Sequence, residues 1–285
     1  MRDNNGRAAS PFAAGINERT YLLIGPLIRR GDDDLEIGNL TLQRTGRFWL
    51  TKGNANSEVV VFVAEGSTAD LSATESNLTY GYMNLTFVKD GGGVLKVARE
   101  LGHDYDTPPS SYHFKAFDIR GGTLHMEGNY GGLKTVDGYI HIRSGAKFEQ
   151  KNYGQISGAP LIEIDEGGTL DLGKVASTVR AVIGKGSVVN ATAGLTMRLK
   201  DGPHAYGGVF PSGAKIVLAP TEYVAGTTKL VLEDPVALSQ AMPTVSGEGF
   251  TLSDVLTFKA GTGVITVANE SARGLKDEDG NVKGE

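Results

Sequence analysis

Cysteine is absent from the 285 residues. That excludes disulfides, thiolate metal sites and a cysteine nucleophile. Long apolar runs are missing as well. Residues 21–28 (YLLIGPLI) fall far short of the roughly 18 a membrane helix needs, and Gly25 and Pro26 interrupt them. Neither charge sign dominates, and the net charge of −5 gives no electrostatic basis for binding nucleic acid or an anionic membrane. Residues 1–20 lack the basic start and apolar stretch of a signal peptide. The chain is therefore expected to be intracellular, or to have lost such a signal.

Signature motifs of several enzyme classes are also missing. The sequence has no Gly-x-Ser-x-Gly, no His-Glu-x-x-His and no phosphate-binding loop. Asp106-Thr107 runs into Pro108 rather than into the glycine of an aspartic protease. No regular ligand spacing suggests a metal, and no cofactor is expected.

Glycine is abundant, with forty residues, about twice the usual share of roughly 7%. Most of it sits in a recurring pattern. LTFVKDGGGVLKV, FDIRGGTLHMEG, YIHIRSGAKFEQ, IEIDEGGTLDLG, AVIGKGSVVNA and VFPSGAKIVL superimpose as alternating run, glycine corner, alternating run. Period-two alternation marks strands with one buried face, and glycine supplies the tight bend. Corners at Gly66, Gly92, Gly121, Gly145, Gly167, Gly186 and Gly213 recur at intervals of 19 to 29 residues. That period is shorter than a propeller blade and points to a solenoid.

The expected fold is all-β, a single-stranded parallel β-helix, with a β-sandwich as the alternative. Residues 1–30 are read as an N-terminal cap and 31–219 as the solenoid. Residues 220–268 are read as a C-terminal β cap or small β-unit, and 269–285 as a charged, disordered tail. Inward residues should include Leu95, Val97, Leu124, Met126, Ile140, Ile142, Phe148, Ile162, Ile164, Leu170, Leu172, Val189, Ile216 and Leu218. Trp49 should pack at the first coil. Short helical turns are conceivable only at 175–179 and 236–240.

The stretches GGTLDLG, GGTLHMEG and GGGVLKV resemble the strand repeats of bacterial autotransporter passengers and related surface β-helix proteins. The likeness spans about residues 60–220. It implies a parallel β-helix, export after removal of a signal, and display at or release from a bacterial surface. The family's C-terminal membrane barrel and its Gly-Asp-Ser-Gly protease motif are not found here, so the likeness reaches only the scaffold.

In the alternating register Glu163, Asp165 and Asp171 face water and need no function. One outward column groups Lys96, His125, Glu149, Asp171 and Asn190 on successive coils, where opposite charges would pair. A carboxylate pair such as Glu149 with Asp171 would suit glycan hydrolysis. The insertion 99–114 (RELGHDYDTPPSSYHF) adds His103, Asp104, Tyr105, Asp106, Tyr112 and His113 beside that column. Loops on a rigid scaffold commonly carry function, and tyrosines with acids suit sugar binding.

Three readings follow. The first is a surface scaffold or adhesin that binds a glycan or glycoprotein such as mucin, through Lys96, His103, Tyr105, Tyr112, His113 and His125. The second is a hydrolase of such glycoproteins using Asp104, Asp106, Glu149 or Asp171. The third is a structural spacer.

Overall fold

The computed structural model describes residues 19–24, 40–41, 57–71, 85–97, 116–127, 138–151, 156, 158–233, 241, 243–262 and 273–283. The chain divides into two compact units, Met1–Gly158 and Ala159–Glu285. Trp49, helix candidate 236–240 and insertion 99–114 with its six candidate residues lie outside the described residues.

The first unit holds strands β1 (Arg19–Ile24), β2 (Leu40–Thr41), β3 (Ser57–Val63), β4 (Thr68–Leu71) and β5 (Leu85–Asp90). It continues with β6 (Val94–Val97), β7 (Ala116–Ile119), β8 (Thr123–Met126), β9 (Tyr139–Ile142) and β10 (Lys147–Gln150). Odd-numbered strands pair in parallel in one sheet, β1-β3-β5-β7-β9. Even-numbered strands form the other, β2-β4-β6-β8-β10. Each glycine corner thus hands the chain from one sheet to the other, which is the wiring of a parallel β-solenoid. Sandwich sheets are antiparallel, so that alternative is excluded.

Alternation sets the core. Phe87, Leu95, Phe117, Leu124, Ile140 and Phe148 are fully buried, each worth roughly 1.5–3 kcal/mol. Phe87 and Phe117 meet ring to ring on adjacent coils, 5.6 Å apart. One core position is not apolar: Lys89 lies in register between Val61 and Ile119 and has no exposed surface. Its amine donates to the carbonyls of Asp90, Gly91 and Gly121 at 2.8–2.9 Å. It thereby ties two successive corners together. Burial lowers its pKa to about 8 against a weaker opposing pull from Asp90.

The second unit contains β11 (Leu161–Ile164), β12 (Thr169–Asp171), β13 (Ser177–Val179), β14 (Ala181–Gly184), β15 (Ser187–Val189) and β16 (Leu195–Met197). After these come β17 (His204–Tyr206), β18 (Ile216–Leu218), β19 (Leu230–Leu232), β20 (Thr244–Val245), the single turn α1 (Leu252–Val255) and β21 (Leu256–Phe258). Parallel ladders run β11-β14-β17-β19-β21, β12-β15 and β13-β16-β18-β20. Among the described residues of this unit each of these coils carries a third strand, in the ladder β13-β16-β18-β20. Residues 175–179, a candidate helical turn, supply part of it, because Ser177 and Val179 alternate inward around Thr178.

Several corners sit one or two residues from the expected glycine. Positive φ falls on Gly91, Gly122 and Gly184 rather than on Gly92, Gly121 and Gly186. Gly186 is required for a different reason: a Cβ there would lie 2.1 Å from the Ile164 side chain. The inward residue of β15 is Val188, not Val189. Parallel pairing also extends beyond 31–219, since β1 pairs with β3 and β21 with β19. Within the charged tail, Asp277 bridges to Phe258 and Leu275 is buried. Asp277 further accepts from Asn281 and pairs with Lys283, so this segment also carries polar contacts of its own.

Candidate functional site: a polar row on the first unit

On strands β4, β6, β8 and β10 the buried residues alternate with outward ones, and parallel register aligns Asp70, Lys96, His125 and Glu149. Coil spacing of about 4.8 Å places each within reach of the next. His125 Nδ1 lies 2.9 Å from Glu149 Oε2, and its Nε2 contacts Glu127, the outward residue just past β8. Glu127 also accepts from Lys151 one coil on. Lys147 approaches Glu149 at 3.7 Å, and Lys96 reaches Asp70 at 4.0 Å. The row thus reads acid, base, base, acid, and each basic side chain pairs with the acid on its far side, as the column in the sequence suggests. Lys96, Glu127 and Glu149 remain about one-third exposed.

His125 is held at both ring nitrogens, each by a different carboxylate. Because the carboxylates address opposite sides of the ring, His125, Glu127 and Glu149 do not converge on one point as metal ligands do. Glu127 sits below the usual carboxylate range, chiefly through its hydrogen bond from Lys151, with His125 adding to the effect. A general acid of a glycosidase needs the opposite shift.

Two members of the expected column behave differently. Asp171 is buried at 5% exposure rather than facing water. Its Oδ1 accepts from the Gly173 amide at 3.0 Å and from Asn190 Nδ2 at 2.7 Å. The carboxylate closes the turn after β12. Asn190 does not share its register position, since Asp171 pairs with Val189. Asn190 instead sits in left-handed conformation before a 3₁₀ turn, φ 58°. A tight turn draws the Asp171 carboxylate inward while Asn190 stays exposed and caps it from outside, which strand alternation could not anticipate.

A second polar cluster on the first unit escaped the sequence reading. Asp118 Oδ2 accepts from Arg120 Nε at 2.8 Å and its Oδ1 from Arg143 Nε at 2.9 Å. Arg120 also bonds Glu58 at 2.6 Å. Burial pushes the Asp118 carboxyl up, but the hydrogen bond from Arg143 and the charge of Arg120 more than offset it, leaving it below the ordinary range. The signal was present in FDIR and HIR, whose arginines fall one coil apart. Asp118 and Glu58 are buried while both arginines keep contact with solvent, so the cluster reads as a clasp between coils.

Comparison with protein-family models, curated proteins and solved structures gives no match to the chain.

Proposed function

We propose that the chain is a β-solenoid recognition scaffold that binds glycans or glycoprotein surfaces along the polar row of its first unit. The observation behind this reading is the row itself: four successive coils hold Asp70, Lys96, His125 and Glu149 in register. Sugar hydroxyls both donate and accept, and a row of carboxylates, amine and imidazole offers both complements. Mutual pairing orders these side chains in advance, which reduces the entropy lost when an extended ligand docks. The carboxylates support binding better than cleavage, because Glu127 is held ionised and Asp171 is engaged in its own turn. The reading includes export and display at a bacterial surface, as the likeness to autotransporter passengers implies.

Incubation with a mucin-type glycoprotein and with neutral polysaccharides tests it. Retention without released fragments is expected from the unmodified chain. A Lys96→Ala/His125→Ala variant should keep the fold and lose retention. Fragments that vanish in Glu149→Gln would instead make the protein a hydrolase, and absence of any retention would overturn the reading.

A further inference from the structure

Charged neighbours on successive coils are mostly of opposite sign. Lys96 faces Asp70, His125 faces Glu149, Lys151 bonds Glu127, Lys200 bonds Glu222 and Lys259 bonds Glu233. Arg180 and Arg198 of the second unit depart from that rule. β13 and β16 pair in register with Thr178 beside Thr196. The amides of Arg198 and Leu199 then donate to the carbonyls of Val179 and Arg180, at 2.9 and 2.8 Å. This carries the alignment one residue further and stacks Arg180 on Arg198, both on the outer side and both reached by solvent.

Like charges stacked one coil apart destabilise a sheet. Among the described residues neither guanidinium forms an ion pair. Asp201 is near enough to influence His204 and Lys200, as Arg180 is, yet it bonds neither arginine. The first unit shows what such a stack accommodates. Arg120 and Arg143 lie one coil apart in the same way, and the Asp118 carboxylate sits between them with one oxygen on each Nε.

We propose that Arg180 and Arg198 form a second recognition surface, specific for an acidic polysaccharide whose carboxylate or sulfate lies between the two guanidinium forks. The guanidinium fork matches planar carboxylate and sulfate-like oxygens in a way an ammonium does not. The outward Thr178 and Thr196 line the approach with hydroxyls suited to neighbouring sugar positions. A polymer with repeated acidic groups suits cations repeated at coil spacing. Two arginines on a chain of net charge −5 are too small a field for nucleic acid.

The test is binding at low salt to dextran sulfate, polygalacturonate, unmodified dextran and duplex DNA. The unmodified chain should bind at least one acidic polysaccharide, with affinity falling as salt rises, and should not bind dextran. Arg180→Gln/Arg198→Gln should bind about tenfold or more weakly, with a melting temperature no lower than that of the parent. Arg180→Lys/Arg198→Lys should recover only part of the affinity, and Lys259→Gln should change nothing. Equal binding by the double glutamine variant, no binding to either acidic polymer, or tighter arginine-dependent binding to DNA would each overturn the assignment. The Lys96→Ala/His125→Ala variant should leave this binding intact, so the two surfaces stand or fall separately.

Discussion

In the first unit, the outward position between the two buried residues of a strand holds Lys96 on β6 and His125 on β8, both partly exposed and paired across coils. In the second unit the same position on β12 holds Asp171, buried and bonded to its own turn and to Asn190. The repeat motif is shared; the role of the polar residue is not. In the first unit the outward residues meet partners across coils by register and along their own strand two residues away. In the second, the chain turns again after β12 to make a third strand per coil, and the residue at that bend must satisfy backbone amides. Where a tight turn follows the strand at once, as after β12, the acid at the outward position closes that turn instead of facing solvent.

The largest effect that sharpens this contrast comes from the core, which both units share. Leu170→Asp buries a charge beside Asp171 and should cost several kcal/mol, seen as loss of the β-signature in circular dichroism at ordinary temperature. Next comes Asp171→Asn. It weakens charge-assisted hydrogen bonds to Gly173 and Asn190, so thermal unfolding should show a loss of about 1.5–3 kcal/mol. A cost near zero would return Asp171 to the solvent face.

A smaller effect separates the units by pH. Burial pushes His204 of the second unit below its ordinary 6.5, with the Arg180 charge a lesser contributor and the Lys200 carbonyl opposing. Its contribution to stability is complete above pH 6.5 and is lost as pH falls through the lower folded value. Lys89 of the first unit has a folded pKa of about 8 against 10.5 unfolded. The native state therefore binds fewer protons than the unfolded one between those values. Stability from Lys89 should rise from pH 8 to 10.5 and be flat below 8. Hydrogen exchange, compared with His204→Asn and Lys89→Met, should assign the acid-side loss to the second unit and the alkaline gain to the first. Smallest of all is Glu149→Gln. Its pair with His125 is partly exposed, and melting should show a change below about 1 kcal/mol.

Much of this architecture was legible in the sequence. Alternation around Leu95, Leu124, Phe148 and Leu170 identified the buried face, and the glycine intervals gave the parallel coil. The pairing of His125 with Glu149 followed from register alone. What alternation could not supply was local backbone geometry. A two-residue period is silent on whether Gly121 or Gly122 takes the left-handed turn, and on whether Val188 or Val189 enters the core after a bend. It is equally silent on how Lys89 is accommodated in the core, because the three carbonyls that receive its amine come from two separate corners. The third strand at 177–179 was hidden because three residues are too few to show a period.

The central claim is that successive coils run parallel and in register, so that residues about 25 positions apart become neighbours on one face. A chain without native cysteine is well suited to testing it, since any disulfide must be the introduced one. Lys96→Cys/His125→Cys joins aligned outward positions, within the Cα separation of about 4.4–6.8 Å that a disulfide tolerates. Mild oxidation should cross-link it rapidly within one molecule. Lys96→Cys/Leu124→Cys differs by one residue and places the second thiol on the buried face, and it should stay reduced while the protein is folded. Equal cross-linking of the two pairs, or cross-linking of the shifted pair alone, would contradict the account.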